Sequence, residues 1–303
     1  MMIHDIVIIG HIAIDTIKLP NNIKFTSLGG PPTYAGFSAK LLNANVAIVS
    51  KIGFDFKDEY LLRYARATIY VDYIGKVSRP TTKFEIIYDE NWQRKLRLIS
   101  KCAPINFDDI INIKSKSFLL DPICQEIDEK ILTKFSEIKA FKVLDIQGLI
   151  RSFDENGDVK LTAFPFDYKL LGHFDVVKVS VDEALKAFNC NNINEVIRLL
   201  KEFGVKIIII TLGGKGLIAH FSSKEYFLPA YPVKLVDPTG CGDALLGAFL
   251  ASYLKTKDVI YSLAIGAASA SFIAEAFGSS NFGFKNEVES RARWILRNVK
   301  VVQ

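Results

Sequence analysis

Short runs of branched apolar residues alternate with longer amphipathic segments along most of this chain, and no other feature restricts its fold as much. Residues 5–9, 46–51, 117–120, 142–146, 176–179 and 207–211 each read as a strand that is apolar on both faces. Between them, residues 33–43, 58–67, 125–139, 181–188 and 193–203 carry helical periodicity. Strands without polar alternation must be covered on both sides, so the expected class is α/β, with three α/β/α layers around a mostly parallel central sheet. Two stretches break the rhythm. Residues 12–28 and 70–100 alternate every second position, and 81–88 and 94–99 read as antiparallel strands joined by Asp89-Glu90-Asn91. We read both stretches as a small β-sheet lid on a single domain spanning residues 1–303.

Half of the 303 residues are apolar, too many for a disordered chain. The 38 Lys and Arg against 33 Asp and Glu leave a formal +5, scattered rather than clustered, so nucleic acid is not an expected partner. Arg291, Arg293, Arg297 and Lys300 form the densest basic stretch and read as the solvated face of a last helix. Cys102, Cys124, Cys190 and Cys241 lie far apart, with no CxxC pair and no histidine at metal spacing. Neither a disulfide framework nor a zinc site is expected. Residues 259–274, the longest uncharged run, are too few and too rich in Ser, Ala and Gly to span a bilayer. Residues 1–15 carry no basic n-region and no A-x-A site. The expectation is a soluble cytoplasmic protein with no membrane partner.

The strongest chemical signal is Val236-Asp237-Pro238-Thr239-Gly240-Cys241-Gly242-Asp243-Ala244, which runs into an apolar helix over 245–254. Two glycines two apart let the backbone turn tightly and aim N–H groups at one spot, and the helix adds its positive end. That arrangement is an anion hole. Asp243 stands at its lip, where a carboxylate is unfavourable unless it acts, for instance by accepting the proton of a hydroxyl that attacks a phosphoryl group. The plainer alternative is a shaped loop with Asp243 as a helix cap. Cys241, if exposed at a helix N-terminus, would have a lowered thiol pKa; otherwise it is a small residue filling the loop.

This stretch resembles the D-T/P-T-G-A-G-D signature of the ribokinase-like (PfkB) carbohydrate kinases, and the likeness extends over nearly the whole chain. Gly10 to Asp15 resembles the family's first strand and sugar-binding Asp, and Gly29-Gly30-Pro31-Pro32 its substrate-side diglycine. Lys51-Ile52-Gly53-Phe54-Asp55 resembles its V-G-x-D, in which we read Asp55 as mainly structural. Lys178 to Glu183 falls where the family has N-x-x-E, and Thr211-Leu212-Gly213-Gly214-Lys215-Gly216 resembles its T-x-G-x-x-G turn against the nucleotide. Two positions depart. Tyr34 stands for an Asn that contacts sugar hydroxyls, filling space a ribose needs, and Ser180 stands for the Asn of N-x-x-E. A narrower likeness to the myo-inositol kinase branch rests on residues 29–34, 81–84, 101–105 and Asp145-Ile146-Gln147-Gly148-Leu149-Ile150-Arg151.

The resemblance implies an ATP-dependent kinase of a small polyol, best myo-inositol or a related cyclitol, in a ribokinase-like fold. Asp15, Gly29, Gly30, Gln147 and Arg151 would face the substrate. Asp243 would be the base, with the backbone of Gly240, Cys241 and Gly242 as the anion hole. Lys178, Ser180, Thr211, Gly213, Gly216 and Thr239 would lie on the nucleotide side, with Mg²⁺ organised through Glu183 and water, and the family leaves room for a monovalent cation. A nucleoside or hexose kinase and a catalytically silent nucleotide-binding protein are the alternatives. No dinucleotide G-x-G-x-x-G, no G-x-x-x-x-G-K-S/T and no H-R-D with D-F-G set is present. The lid's strand edge would pair with a second copy to give a homodimer.

Overall fold

The computed structural model describes residues 3–21 and 23–302. In chain order its strands are β1 (His4–Ile9), β2 (Ala13–Lys18), β3 (Lys24–Gly29), β4 (Val46–Ile52), β5 (Ile74–Lys76), β6 (Thr82–Tyr88), β7 (Arg94–Ser100) and β8 (Ser115–Leu120). They continue as β9 (Phe141–Asp145), β10 (Arg151–Phe153), β11 (Val159–Leu161), β12 (Val176–Ser180), β13 (Ile207–Thr211), β14 (Gly216–Phe221), β15 (Lys224–Pro229) and β16 (Lys300–Val301). The helices are α1 (Pro31–Leu41), α2 (Asp58–Arg66), α3 (Glu129–Lys134), α4 (Val181–Phe188), α5 (Ile193–Glu202), α6 (Cys241–Thr256), α7 (Val259–Ile273) and α8 (Lys285–Arg297).

β1 shows why the apolar runs are continuous. Ile6 and Ile8 enter a core shared with α1, α2, α6, α7 and α8, while Val7 and Ile9 enter a second core shared with α3, α4 and α5. Both faces are thereby covered, as a parallel sheet requires. The central sheet has ten strands in the order β16-β15-β14-β13-β12-β9-β8-β1-β4-β5. From β13 to β5 every pairing is parallel, and β14, β15 and β16 close one edge antiparallel. The chain winds outward in opposite directions from β1 and β8, so the loops after them part and open a crevice. Gly10 lies at that junction, where a Cβ would strike the Asp121 carbonyl. Helix α6 crosses α1 so closely that a Cβ on Gly247 would strike the Ala35 backbone. Its fully buried Phe249 stacks on Tyr253 at 5.5 Å, and truncating a core Phe of this kind costs on the order of 3–5 kcal/mol.

A second sheet, in the order β3-β2-β6-β7, stands over the crevice, with β2 and β6 parallel and the outer pairings antiparallel. Phe84, Ile86 and Leu96 face inward, whereas the opposite face carries the Lys18–Glu85 ion pair at 2.5 Å. This sheet takes less of the chain than expected. Tyr70 bridges Ala47 and β5 extends β4, so residues 70–76 belong to the central sheet. The β7 edge is taken up within the chain. The Leu98 N–H donates to the Gly157 carbonyl at 2.8 Å, and Asp158 pairs with Lys95 at 2.5 Å and Arg97 at 3.0 Å. β3 is the other edge.

Three further expectations change. The helix over 125–139 shrinks to α3 and a single turn, Phe135–Glu137, because Gln125 sits at φ 60° and Asp128 caps α3 by accepting the Ile131 N–H at 3.0 Å. Arg293 and Arg297 on α8 are exposed as expected, but Arg291 is only partly so: it pairs with Glu275 at 2.8 Å and lies 3.6 Å from the centre of the Phe272 ring. The hairpins β10–β11 and β14–β15 add to what the sequence suggested. No helix among the described residues is long and apolar enough to cross a membrane.

Candidate active site

The loops at the carboxyl ends of the parallel strands meet α1, α6 and the small sheet around a cleft of about 650 Å³. Every residue given a catalytic, substrate, nucleotide or metal role from the sequence lines it except Gly29. Gly29 lies behind Asp15, whose carboxylate a Cβ at position 29 would strike. Along the strand row, Asp15 and Gly30 stand near β1, whereas Thr211, Gly213 and Gly216 stand near β13, with Lys178, Ser180 and Glu183 between them.

Gly240 begins α6 with φ 81°, and a Cβ there would strike the Tyr34 ring. A Cβ on Gly242 would come within 2.6 Å of Lys178 Nζ, so the loop presses its backbone against this ammonium. No side chain caps α6. The Cys241 N–H turns back to the Pro238 carbonyl at 3.2 Å, which takes Cys241 out of the expected anion hole. The N–H groups of Gly242 and Asp243 remain at the uncapped end, together with the dipole of a sixteen-residue helix. Asp237 fixes the loop behind them, with Oδ1 accepting from the Tyr88 hydroxyl at 2.7 Å and the Thr239 N–H at 2.8 Å.

Buried charge dominates the floor. Lys178 Nζ lies 2.6 Å from Asp145 Oδ2; burial favours its neutral form, but Asp145 and Glu183 keep it protonated. Burial raises the Asp243 carboxyl above its ordinary pKa, with Lys178, Gln147 and Arg151 pulling the other way. Asp15 is pushed up to about 7 by burial and by the charges of Asp237 and Asp243. Burial works against the Glu183 carboxylate too, yet Lys178, Arg151 and hydrogen bonds from Ser180 N–H and hydroxyl, at 3.0 and 2.7 Å, leave it below the usual range. Ser180 therefore does part of what an Asn would do: it caps α4 and holds Glu183. Cys241 moves opposite to a reactive thiol, up to about 12, because burial and the carboxylates of Asp237 and Asp243 outweigh the helix end.

Some site residues escaped the sequence reading. Arg94, at the start of β7, lines the cleft and donates from Nη1 to the Thr239 hydroxyl at 2.7 Å. Asp121 and Asp145 join Asp243 in a buried group of carboxyls within 4.8 Å of one another. A second buried group, His11 with Cys124 and Glu126, is assembled by the loops after β1 and β8 from residues far apart in sequence, which is why sequence spacing gave no sign of it. Its groups are already engaged, with Glu126 accepting from the N–H groups of His11, Ile123 and Cys124. Asp55 is structural, as read: it accepts the Thr81 N–H at 2.8 Å and pairs with Lys83 at 2.5 Å.

The pfkB family carbohydrate kinase model matches residues 3–285. The cytidine kinase of Thermococcus kodakarensis is 27% identical over 283 residues, covering 90% of this chain and 97% of the relative. The inositol 3-kinase of Arabidopsis thaliana is 26% identical, covering 95% of this chain and 80% of the relative. A solved structure of a pyrophosphate-dependent kinase in the ribokinase family, complexed with a pyrophosphate analogue and myo-inositol, superposes with a TM-score of 0.80 at 23% identity, covering 94% of this chain and 99% of that one. With its ribokinase-like fold and a match spanning most of its length, the chain belongs to the pfkB family of carbohydrate kinases, enzymes that transfer a phosphoryl group to a hydroxyl.

Proposed function

We propose that this kinase phosphorylates one hydroxyl of a small polyol, best myo-inositol or a related cyclitol, with ATP as donor. One observation carries the reading: a buried carboxylate, Asp243, stands in the first turn of an uncapped helix, beside Lys178, in a cleft that also holds Asp15. Asp243 takes the proton of the acceptor hydroxyl as its oxygen bonds to the γ-phosphorus and the bond to ADP breaks. Lys178 and the N–H groups of Gly242 and Asp243 balance charge that grows on the phosphoryl oxygens. Asp15 and Gly30 hold substrate hydroxyls, and the small sheet acts as a lid that excludes water through Phe84, Ile86 and Leu96.

Tyr231, Val233, Leu235 and Ala270 line the same cleft as Gly213 and Gly216 and give it an apolar surface suited to a planar base. It favours a nucleotide over pyrophosphate as donor. Glu183 is ionised and one of its oxygens is left over from the Ser180 cap, which suits a hydrated Mg²⁺. Such an ion would neutralise phosphate charge. The cyclitol reading is supported by Tyr34, whose ring fills space beneath Gly240 that a ribose needs, and by the likeness to an inositol 3-kinase.

The likeness to a cytidine kinase favours a second reading, a nucleoside acceptor. ADP release across inositols, pentoses, hexoses and nucleosides decides between them, and cytidine or ribose turning over faster than any cyclitol would overturn the first. Asp243→Asn is expected to keep ATP binding, read by thermal shift, and to lose turnover by about 10²–10⁴-fold. Near-normal turnover would overturn the role of Asp243.

A further inference from the structure

Gln147 was read from the sequence as a substrate ligand, but its amide is spent elsewhere. Nε2 donates to Asp243 Oδ1 and to Asp121 Oδ1, each at 2.9 Å, and Oε1 accepts from Arg151 Nη2 at 2.8 Å. An amide nitrogen has two hydrogens, so none remains for a vicinal diol. Arg151 has only donors, and this fixes which way the amide points: its oxygen must face the guanidinium and its nitrogen the two carboxyls. Gly148 makes the approach possible. A Cβ there would strike the backbone of Pro122 and Ile123, so only a glycine lets the loop after β9 press onto the loop after β8 and bring Gln147 to Asp121.

We propose that Gln147 is a positioning residue that clamps the base Asp243 to the buried Asp121 through one amide, leaving Asp243 Oδ2 to receive the acceptor's proton. The clamp rests on the reading of Asp243 as base. Asp121 is fully buried, its Oδ2 has no partner, and burial with the charges of Asp243 and Asp145 raises its carboxyl well above the ordinary range. These effects favour its protonated form, which lets two carboxyls share one amide without two full negative charges. The other groups facing Asp243 are Asp145, Lys178, Arg151, Glu183 and Asp15.

The test compares Gln147→Met, which keeps volume without hydrogen bonds, with Asp121→Asn and Asp243→Asn, using ATP and the acceptor with the highest turnover. In Gln147→Met, kcat should fall about 10–100-fold with the acceptor KM within about threefold of wild type. The acidic limb of kcat should move to higher pH, because a donor to the carboxylate is gone. In Asp121→Asn the limb should stay where it is, because an amide replaces a protonated carboxyl; a limb that moves to lower pH would show a charge on Asp121 and overturn its part in the clamp. A tenfold rise in acceptor KM with kcat preserved in Gln147→Met would make Gln147 a substrate ligand and overturn the proposal, as would a limb that moves up in Asp121→Asn. If Gln147→Met does not fold, Asp121→Asn and Arg151→Met, which frees the amide to turn, carry the test: a kcat unchanged in Arg151→Met overturns the clamp. An active Asp243→Asn signals failure of the base assignment itself, whereas an inactive one with a KM effect in Gln147→Met removes the clamp alone.

Discussion

Asp15 keeps a proton at pH values where most aspartates have lost it, because its carboxyl is buried and faces Asp237 and Asp243. Its folded pKa of about 7 lies above an unfolded value near 3.8, so its contribution to stability is fully present below the lower value and is lost as pH rises through the upper one. Asp15→Asn should therefore match wild type in urea unfolding near pH 4 and be more stable at pH 8, by up to about 4 kcal/mol. If the ionised carboxylate is what accepts from substrate hydroxyls, acceptor KM should fall between pH 6 and 8 in wild type and stay flat in the variant. Asp243 was legible because the two glycines before it have a physical purpose at that spacing, whereas Asp15 was reached only through the resemblance of residues 10–15 to a family strand. Arg94 was not legible, since an arginine opening an exposed strand looks like solubility until Thr239 is placed beside it. Asp121 was hidden for another reason: its partners arrive only through the close approach at Gly148.

Two helices open on the cleft with a glycine at φ 81°, yet only one is built for anions. α1 starts Pro31-Pro32, which removes two of its first N–H groups, so its end presents little to a phosphate and suits the neutral acceptor. α6 keeps its donors and has Lys178 beside them. α4 contributes differently, through the Ser180–Glu183 capping box. Ser180→Ala should cost about 1 kcal/mol in denaturant unfolding and, by freeing Glu183, raise several-fold the Mg²⁺ concentration needed for half-maximal rate. The continuous strands and amphipathic helices were readable because burial on two faces leaves no other pattern. The strands β10 and β11, three residues each, offer no period to read. The segment 70–76 alternates like lid but pairs with β4 by proximity that only the fold supplies.

Across the whole molecule, the small sheet reaches the main body at its tip. Tyr88 donates to Asp237, Arg94 donates to Thr239, and Trp92 stacks on Phe277 with ring centres 6.4 Å apart. These contacts hold the small sheet against the segment that leads into α6, so on the proposed reading closing the lid and setting that loop are one event. Arg94→Ala should loosen the latch and raise the ratio of ADP formed to acceptor phosphorylated, measured by coupled assay against product, as water enters the cleft. A ratio that stays at unity would show that the lid closes without it.

The close crossing of α6 over α1, with Gly247 against Ala35, joins the two ends of the chain. Docking α6 on α1 closes the loop between residues 35 and 247, and contacts of such long range are expected to form late because loop closure is costly. During refolding from denaturant, far-ultraviolet ellipticity should therefore recover before ATP-dependent turnover. Recovery of both at one rate would mean that the crossing forms with the sheet. On the ribosome α6 emerges long after α1, so a chain that stops short of residue 241 would expose apolar strands without the end of α6 at the cleft.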